Sequence, residues 1–591
     1  MKTDLFTQLN SDQKKAVVCV QYPSIILAGA GSGKTRVLTY KVLHLINTHL
    51  VKPHEILMIT FTNKAAAEMR HRINISIGFV GTFHSLCVKI LRIDGNAINI
   101  PHDFIIYDTN DQQDIIKDII KKSNLEKYSP SSLLNKISSA KNQLISDKDY
   151  HTLFSDYSNE EIYMVYQQYQ KKLQKNKAVD FDDLIMKTVE LFRTHEDILE
   201  KWQNRFPCIL VDEFQDTNYA QYILIKLLGK KYKNVTVVGD FSQSIYSWRG
   251  AEIKNLEKFK EDFPETKTFF LEQNYRSTQN ILDFAYTVIS QNNTHPILQL
   301  ITDNTKGEKV VIEQLDNEQY EALFVADKIQ KIQQQATSPN EKNAVLYRTN
   351  AQSRVIEEAF LHMGIPYILI GGTRFYERKE IKDILALTRL IAHPTEETAH
   401  KRIEKLGKRR YKIASEVSMT LHNKKSEIAT VDLVDTMIKK TRYLELFNTT
   451  DPDDASRLEN IKELRSVALN YPNLQEFLEQ VALVESEYFE NEKKKKDPHA
   501  VSLMTLHQAK GLEFHTVCIV GVEDGILPHS RALYDQFDME EERRLFYVGI
   551  TRAEKKLYLT HVKKRFIFGR RNYATPSRFL PAAHDLITNV F

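Results

Sequence analysis

The sequence predicts an α/β protein built on two parallel-sheet domains, each interrupted by a helical insertion. Three observations carry that expectation. Short, nearly continuous apolar runs recur in two separated blocks, as strands buried on both faces require. Stretches of helical period alternate with them, the arrangement that builds parallel sheets. Gly (19) and Pro (16) are scarce in 591 residues, which leaves little room for long loops.

The first block holds SIILAG (24–29), ILMITF (56–61), CILVDEF (208–214) and VTVVGD (235–240). The second holds KVVIEQL (309–315), AVLYRTN (344–350), VSLMTLH (501–507) and TVCIVGV (516–522). Residues 109–200 place apolar side chains three and four apart, as in DQQDIIKDIIKK and EEIYMVYQQYQKKL, and read as helix throughout. Residues 395–500 read as helix again, with more charge. The expected layout is a first sheet domain over 1–108 and 201–275, split by the insertion 109–200. A second spans 276–394 and 501–591, split by the insertion 395–500.

Composition narrows the function classes. A length of 591 predicts about four folding units. Apolar residues at 42% and charged residues at 27% exclude a largely disordered chain. A net charge of +4 excludes a polycation and leaves a local basic groove open. Cys19, Cys87, Cys208 and Cys518 are too far apart for CxxC metal spacing and too few for a disulfide scaffold. The start, MKTDLFTQLN, lacks an apolar signal core, and no apolar run approaches the roughly 18 residues that span a bilayer. The expectation is a cytoplasmic protein with no membrane partner.

The strongest local signal is AGAGSGKT (28–35), which follows a strand and opens a helix. Gly29, Gly31 and Gly33 let the backbone turn tightly and aim N–H groups at phosphate oxygens; Ala28, Ala30 and Ser32 complete the loop. Lys34 is placed to reach β/γ-phosphates, and Thr35 to set its hydroxyl on Mg²⁺. Ala28 stands where the strict pattern has Gly. Such a P-loop needs a carboxylate at the end of another strand, and VDEFQDT (211–217) supplies it. Asp212 is placed to hold Mg²⁺ through its water shell, and Glu213 to orient and deprotonate the attacking water.

Further segments follow in order: LNSDQKKAV (9–17), ITFTNKAAAEMR (59–70), GTFHSL (81–86), VVGDFSQSIYSWRGA (237–251), LEQNYRST (271–278), LMTLHQAKGLEF (503–514) and EEERRLFYVGITRA (540–553). With the phosphate loop and VDEFQDTN, this series resembles the ordered motifs of UvrD/Rep-type superfamily 1 DNA helicases. The resemblance implies two RecA-like P-loop motor domains with parallel sheets, a helical insertion in each, and ATP-driven 3′-to-5′ movement on single-stranded DNA. It implies ATP and Mg²⁺ as cofactors, with the nucleotide between the motors.

The resemblance also assigns roles. Gln13 precedes the phosphate loop, and its amide matches the donor–acceptor edge of adenine. Tyr275 resembles the tyrosine that stacks on the base. Arg276 and Arg552 resemble the two arginines that stabilise charge on the transferred phosphoryl. Gln243 resembles the γ-phosphate sensor, Glu513 the acid near the ribose, and Arg36 a phosphate contact. Phe61, Asn63, Tyr246, Trp248 and Arg249 lie in motifs whose family members contact or stack bases, an interaction that tolerates any sequence. Thr82, His84, Arg348, Asn350, Arg354, Thr505 and His507 resemble backbone and phosphate contacts. His84 and His507 also read as satisfied structural histidines.

Two departures from the family pattern stand out. Gln508 occupies a position where the family has a small residue. Only 108 residues separate Ala392 from Val501, a shortened second insertion. Within it, seven of the twelve residues 401–412 are Lys or Arg, which reads either as a duplex phosphate footprint or as a solvated basic face. The expected partners are single-stranded DNA, single/double-strand junctions and repair or replication proteins, with the chain acting as a monomer or DNA-induced dimer at a prokaryotic nucleoid. The alternative is a translocase that strips proteins from single strands with little unwinding.

Overall fold

The computed structural model describes residues 6–589 apart from 126, 155–156, 336–337, 339–340, 450, 495–496, 498, 568–569 and 581–584. The chain divides into two compact units, Met1–Arg276 with Ser290–Asp303, and Ser277–Ile289 with Asn304–Phe591.

The first unit carries a six-stranded sheet of β1 (Ser24–Ala28), β2 (Ile56–Thr60), β3 (Phe79–Thr82), β4 (Cys208–Val211), β5 (Val235–Gly239) and β6 (Lys267–Leu271). The order is β3–β2–β4–β5–β1–β6, parallel throughout. Alternate residues of each strand serve opposite faces. Ile25, Leu27, Leu57, Ile59, Ile209 and Val211 join one core. Ile26, Ile56, Met58, Cys208 and Leu210 join the other. That double burial is why the central strands are apolar at nearly every position. β3 and β6 sit at the sheet's two edges and are partly exposed, so neither shows a continuous apolar run. The first helices are α1 (Ser11–Val18) and α2 (Lys34–Asn47), the latter opening directly from the phosphate loop.

Between β3 and β4 the chain makes helices Thr109–Ser123, Pro130–Asn142, Asp147–Leu153, Tyr157–Lys175, Phe181–Thr194 and Glu196–Arg205. Several share a separate core that includes Ile116, Leu133, Tyr166 and Tyr169. The stretch is not helical throughout: Ala178–Asp180 is a strand that pairs in parallel with Ile105–Tyr107. It places Asp180 as the cap of the next helix, where the fully buried Lys141 Nζ reaches Asp180 Oδ2 at 2.6 Å and Asp183 Oδ1 at 3.0 Å.

Ser290–Asp303 joins the first unit, although the sequence reading assigns everything beyond residue 275 to the second domain. Tertiary hydrogen bonding explains the return. Ile301–Thr302 pairs with Gln273–Asn274, and His295 Nε2 lies 3.1 Å from Ser242 Oγ. Arg276 also falls in the first unit.

The second unit holds a seven-stranded sheet of β7 (Val310–Leu315), β8 (Asn343–Tyr347), β9 (Tyr367–Leu369), β10 (Val501–Thr505), β11 (Phe514–Ile519), β12 (Ala553–Val562) and β13 (Ile587–Asn589). Its order is β9–β10–β8–β11–β12–β7–β13, again parallel. The helices Glu397–Glu404, Lys408–His422, Thr430–Thr441, Pro452–Asn470 and Leu474–Lys494 pack with Lys379–Ala392 around one core. Gly407, at φ 104°, breaks the first of them from the second. Among the described residues, no helix is long and apolar enough to cross a membrane.

Candidate nucleotide and nucleic-acid site

The phosphate loop leaves β1 at Ala28 and enters α2 at Lys34. Gly31 (φ 66°) and Gly33 (φ 85°) adopt left-handed backbone that a side chain would strain. A Cβ on Gly31 would also lie 2.7 Å from Asn274 Nδ2 and 2.9 Å from Arg276 Cβ. Ser32 Oγ donates to Gly29 O at 2.8 Å and holds the turn closed. Lys34 Nζ folds onto the loop's own carbonyls, Ala28 O at 3.3 Å and Gly29 O at 3.4 Å. These are weak contacts that an anion replaces readily. Thr35 is half-buried and Arg36 is exposed.

Gln13 is fully buried in α1. Its Nε2 donates to Ser32 O at 2.9 Å, and its Oε1 accepts from Asn10 N at 3.1 Å. The residue therefore ties α1 to the phosphate loop, with one N–H and one lone pair left over for a base. Asn10 reaches further: its Nδ2 donates to Tyr275 Oη at 2.8 Å. Tyr275 N donates to Gly31 O at 3.0 Å, and Asn274 Nδ2 donates to Ala30 O at 2.7 Å. The Arg36 guanidinium lies 6.0 Å from the Tyr275 ring centroid. The structure thus brings Gln13, Arg36, Tyr275 and Arg276 to the same loop.

The carboxylates emerge from β4. Asp212 N donates to Ile59 O at 2.9 Å, which fixes the side chain at the strand end. Asp212 is buried, and its Oδ1 has no hydrogen-bond partner. Burial, then repulsion from Glu213, pushes its carboxyl up to about 7. Glu213 holds φ 51°, a strained conformation for a non-glycine residue that sharply redirects the chain after the strand. Gln215 Nε2 donates to Glu213 Oε2 at 2.5 Å, while Gln215 Oε1 accepts from Asp240 N at 3.0 Å. Gln243 Nε2 donates to Asp240 Oδ2 at 2.6 Å. Burial raises the Asp240 carboxyl, and Lys34 opposes that shift.

Four supporting residues were not singled out from sequence: Asn10, Gln215, Asp240 and Asn274. All four lie inside the motifs themselves, and Asp240 also ends the VTVVGD run. A polar residue beside a carboxylate or a loop glycine is the signal that marks them.

The aromatic turn lies close by in the chain. Tyr246 and Trp248 rings meet at 6.4 Å and 63°, and Trp248 is 55% exposed, so it is no core tryptophan. The Arg249 side chain lies outside the described residues. Phe61 is half-buried, edge-on to Phe83 at 5.7 Å, and Asn63 is exposed at the start of helix Asn63–Ile73. Thr82 caps helix Phe83–Asp94 through Ser85 N at 3.3 Å. His84 packs edge-on to Phe181 at 5.8 Å, and burial lowers its pKa, which favours the neutral ring. Replacing Trp248 with Ala removes the exposed ring face. Single-strand Kd should rise about 10- to 100-fold, as stacking energies predict, measured by fluorescence anisotropy on a labelled oligonucleotide.

In the second unit, Arg552 is buried. It donates from Nε to Val548 O at 2.9 Å, from Nη1 to Leu512 O at 3.2 Å and from Nη2 to Thr551 Oγ1 at 3.1 Å. Glu513 is exposed next to Leu512. Asn350 opens the turn Asn350–Gln352, and His507 is half-buried. Thr505 is buried and bonded at both ends to Gln508, whose Nε2 donates to Gly371 O at 2.9 Å. Gln508 therefore staples two loops together.

Arg348 and Arg354 do not face solvent as unengaged phosphate ligands. Arg348 makes a bidentate pair with Glu542 (Nε at 3.0 Å, Nη2 at 2.7 Å). Arg354 bridges Glu358 and Glu463, each at 2.7 Å. Replacing Arg354 with Ala strands two carboxylates beside each other. The expected result is a fall of roughly 5–10 °C in Tm, the scale of a broken buried ion pair, read by thermal melting.

Residues 9–264 match the UvrD/REP helicase N-terminal domain, and residues 269–464 and 439–564 match the UvrD-like helicase C-terminal domain. The chain belongs to the UvrD/Rep helicase family. Its parallel-sheet units are the RecA-like motors of that family, and the family's work is ATP-dependent. The chain is 42% identical to "ATP-dependent DNA helicase PcrA" of Bacillus subtilis (strain 168), over 100% of this chain and 88% of that one. It is 41% identical to the PcrA helicase of Staphylococcus aureus (strain Mu50), over 98% of this chain and 86% of that one. The Staphylococcus epidermidis PcrA helicase is 42% identical over the same shares.

Proposed function

We propose that this chain is an ATP-dependent DNA helicase that moves 3′-to-5′ on single-stranded DNA and unwinds the duplex ahead, in repair or replication. One observation carries the reading. The carboxylate loop and the aromatic turn form a single hydrogen-bonded piece. Ser244 Oγ donates to Gln215 O at 3.1 Å, and Glu252 N and Asn255 Nδ2 donate to Thr217 O at 3.0 and 2.9 Å. The bonded path from Glu213 through Gln215 to Ser244 enters the segment that carries Tyr246 and Trp248.

The chemistry follows from the residues. Backbone N–H groups of 29–33 cradle phosphate, and Lys34 leaves its own carbonyls to meet the β/γ end. Glu213, held by Gln215, accepts the proton of the attacking water. Gln243 reports on the γ-phosphate to the aromatic turn. Arg276 and Arg552 offset developing negative charge. Asp212 and Thr35 are the residues that would hold Mg²⁺, and the buried, partnerless Asp212 Oδ1 fits such an ion. When bound, the ion neutralises phosphate charge.

The junction reading rests on the second insertion. A cavity of about 440 Å³ is lined by Lys379, Lys401, Arg402 and Lys405, with Asp383 already paired to Arg402 at 2.7 Å. Duplex phosphates suit that charge. The motor works as a monomer or as a dimer assembled on the strand, at the nucleoid of a bacterial cell.

The short insertion favours a second reading, a translocase that clears proteins and barely unwinds. A forked duplex with a 3′ tail, run beside a streptavidin block on the same single strand, decides. Displacement of both supports the helicase, and displacement of streptavidin alone supports the translocase.

A further inference from the structure

We propose that Lys41 is a positioning residue for nucleotide binding, pinning the far end of the helix that carries Gln13 to the helix opened by the phosphate loop. Lys41 lies on α2, two turns beyond Lys34, and is 1% exposed. Its Nζ donates to Cys19 O at 2.5 Å and Ala16 O at 3.1 Å, and it lies 3.4 Å from Ser24 Oγ. None of the three acceptors is a carboxylate. Burying an ammonium without an opposite charge is costly. The gain here is specific: Ala16 O and Cys19 O lie at the C-terminal end of α1, where helix carbonyls lack intrahelical donors and the dipole is negative.

The consequence runs along α1. At its start, the Asn10–Gln13 capping box fixes the helix, Gln13 Nε2 holds Ser32 O, and Asn10 Nδ2 holds Tyr275 Oη. At its end Lys41 supplies two donor bonds, beside the apolar packing of Ala16 and Val17. α1 thus lies against the phosphate loop as a strap fastened at both ends. Loosening the Lys41 end frees the buried Ala16 carbonyl and the half-buried Cys19 carbonyl and lets Gln13 drift from the loop.

The inference rests on the reading that Gln13 meets the base, so the test separates the two. Steady-state ATP hydrolysis by the full chain is measured with saturating single-stranded DNA. Lys41→Met keeps the length and removes the donor. The expected result is a KM for ATP raised about fivefold or more, near the net worth of one hydrogen bond, with kcat within about twofold. Preference for ATP over GTP should fall in parallel. Lys41→Gln, whose amide still donates, should recover a large part of both. Unchanged KM and preference in Lys41→Met overturn the proposal. Gln13→Ala runs alongside. If it keeps the base preference, the base reading fails and takes the proposal with it. If it loses the preference while Lys41→Met keeps it, only the role of Lys41 fails.

A pH series gives a readout that mere structural support would not move, and it decides even if Lys41→Met does not fold. Burial lowers the Lys41 ammonium to about 8. The titratable groups around it are the Cys19 and Cys208 thiols and His44. Burial raises Cys208 to about 12 and lowers His44, so neither changes charge above pH 8. KM for ATP should rise about threefold, the loss of a charge-assisted bond, as pH climbs from 7.5 to about 9.5. Cys19→Ser should retain that rise and Lys41→Met should lack it. A flat profile in the unaltered chain, or a rise lost in Cys19→Ser, contradicts the proposal.

Discussion

Glu213→Gln is expected to lower DNA-stimulated ATP hydrolysis about a thousandfold while leaving ATP binding nearly intact, the usual scale for losing a general base. The substitution is isosteric. Gln215 Nε2 can still donate to the oxygen that replaces Glu213 Oε2, and the left-handed backbone at φ 51° is kept. The carboxylate that would accept the proton is replaced by a neutral amide. Lys34→Ala should behave differently. Lys34 is the cation nearest the loop carbonyls, so its removal weakens nucleotide binding as well as turnover. Phosphate release and binding of a fluorescent ATP analogue, measured on both variants, check the split. Near-normal turnover in Glu213→Gln would show the carboxylate loop to be misassigned, and near-normal turnover in Lys34→Ala the phosphate loop.

Arg552→Ala should cost about a hundredfold or more in kcat, as removal of an arginine that stabilises phosphoryl charge typically does. Arg552 belongs to the second unit, whereas Lys34, Asp212 and Glu213 belong to the first. A strict dependence of hydrolysis on Arg552 would show that catalysis draws on both. Its partners include two backbone carbonyls and a hydroxyl, Val548 O, Leu512 O and Thr551 Oγ1. Arg552→Lys should fail to restore turnover, because an ammonium lacks the planar fork. A melting curve on each variant distinguishes this loss from unfolding, since Arg552 is also a buried donor. Full rescue by Lys would reduce its role to charge alone.

The local parts of this molecule were readable in the chain, and the tertiary parts were not. β1, β2, β4 and β5 announce themselves because both faces are buried, which demands apolar residues throughout. The edge strands β3 and β6 need no such run. The return of Ser290–Asp303 to the first unit rests on bonds such as Thr302 Oγ1 to Asn274 O, which no local pattern encodes. The site divides the same way. Lys34, Asp212 and Glu213 sit in short motifs whose spacing is their geometry. Arg348 and Arg354 have the right chemistry for phosphate, but Glu542 lies 194 residues from Arg348, and of the two carboxylates on Arg354 only Glu358 is local, Glu463 lying 109 residues away. Gln508, odd as a sequence letter, has a clear role once Gly371 O is found beside its amide.

The most direct test of ATP-driven 3′-to-5′ unwinding uses two duplexes that differ only in which end bears the single-stranded tail. With ATP and Mg²⁺, the 3′-tailed duplex should separate and the 5′-tailed one should not, and Glu213→Gln should separate neither. Equal separation of both, preference for the 5′ tail, or separation without ATP would contradict the account.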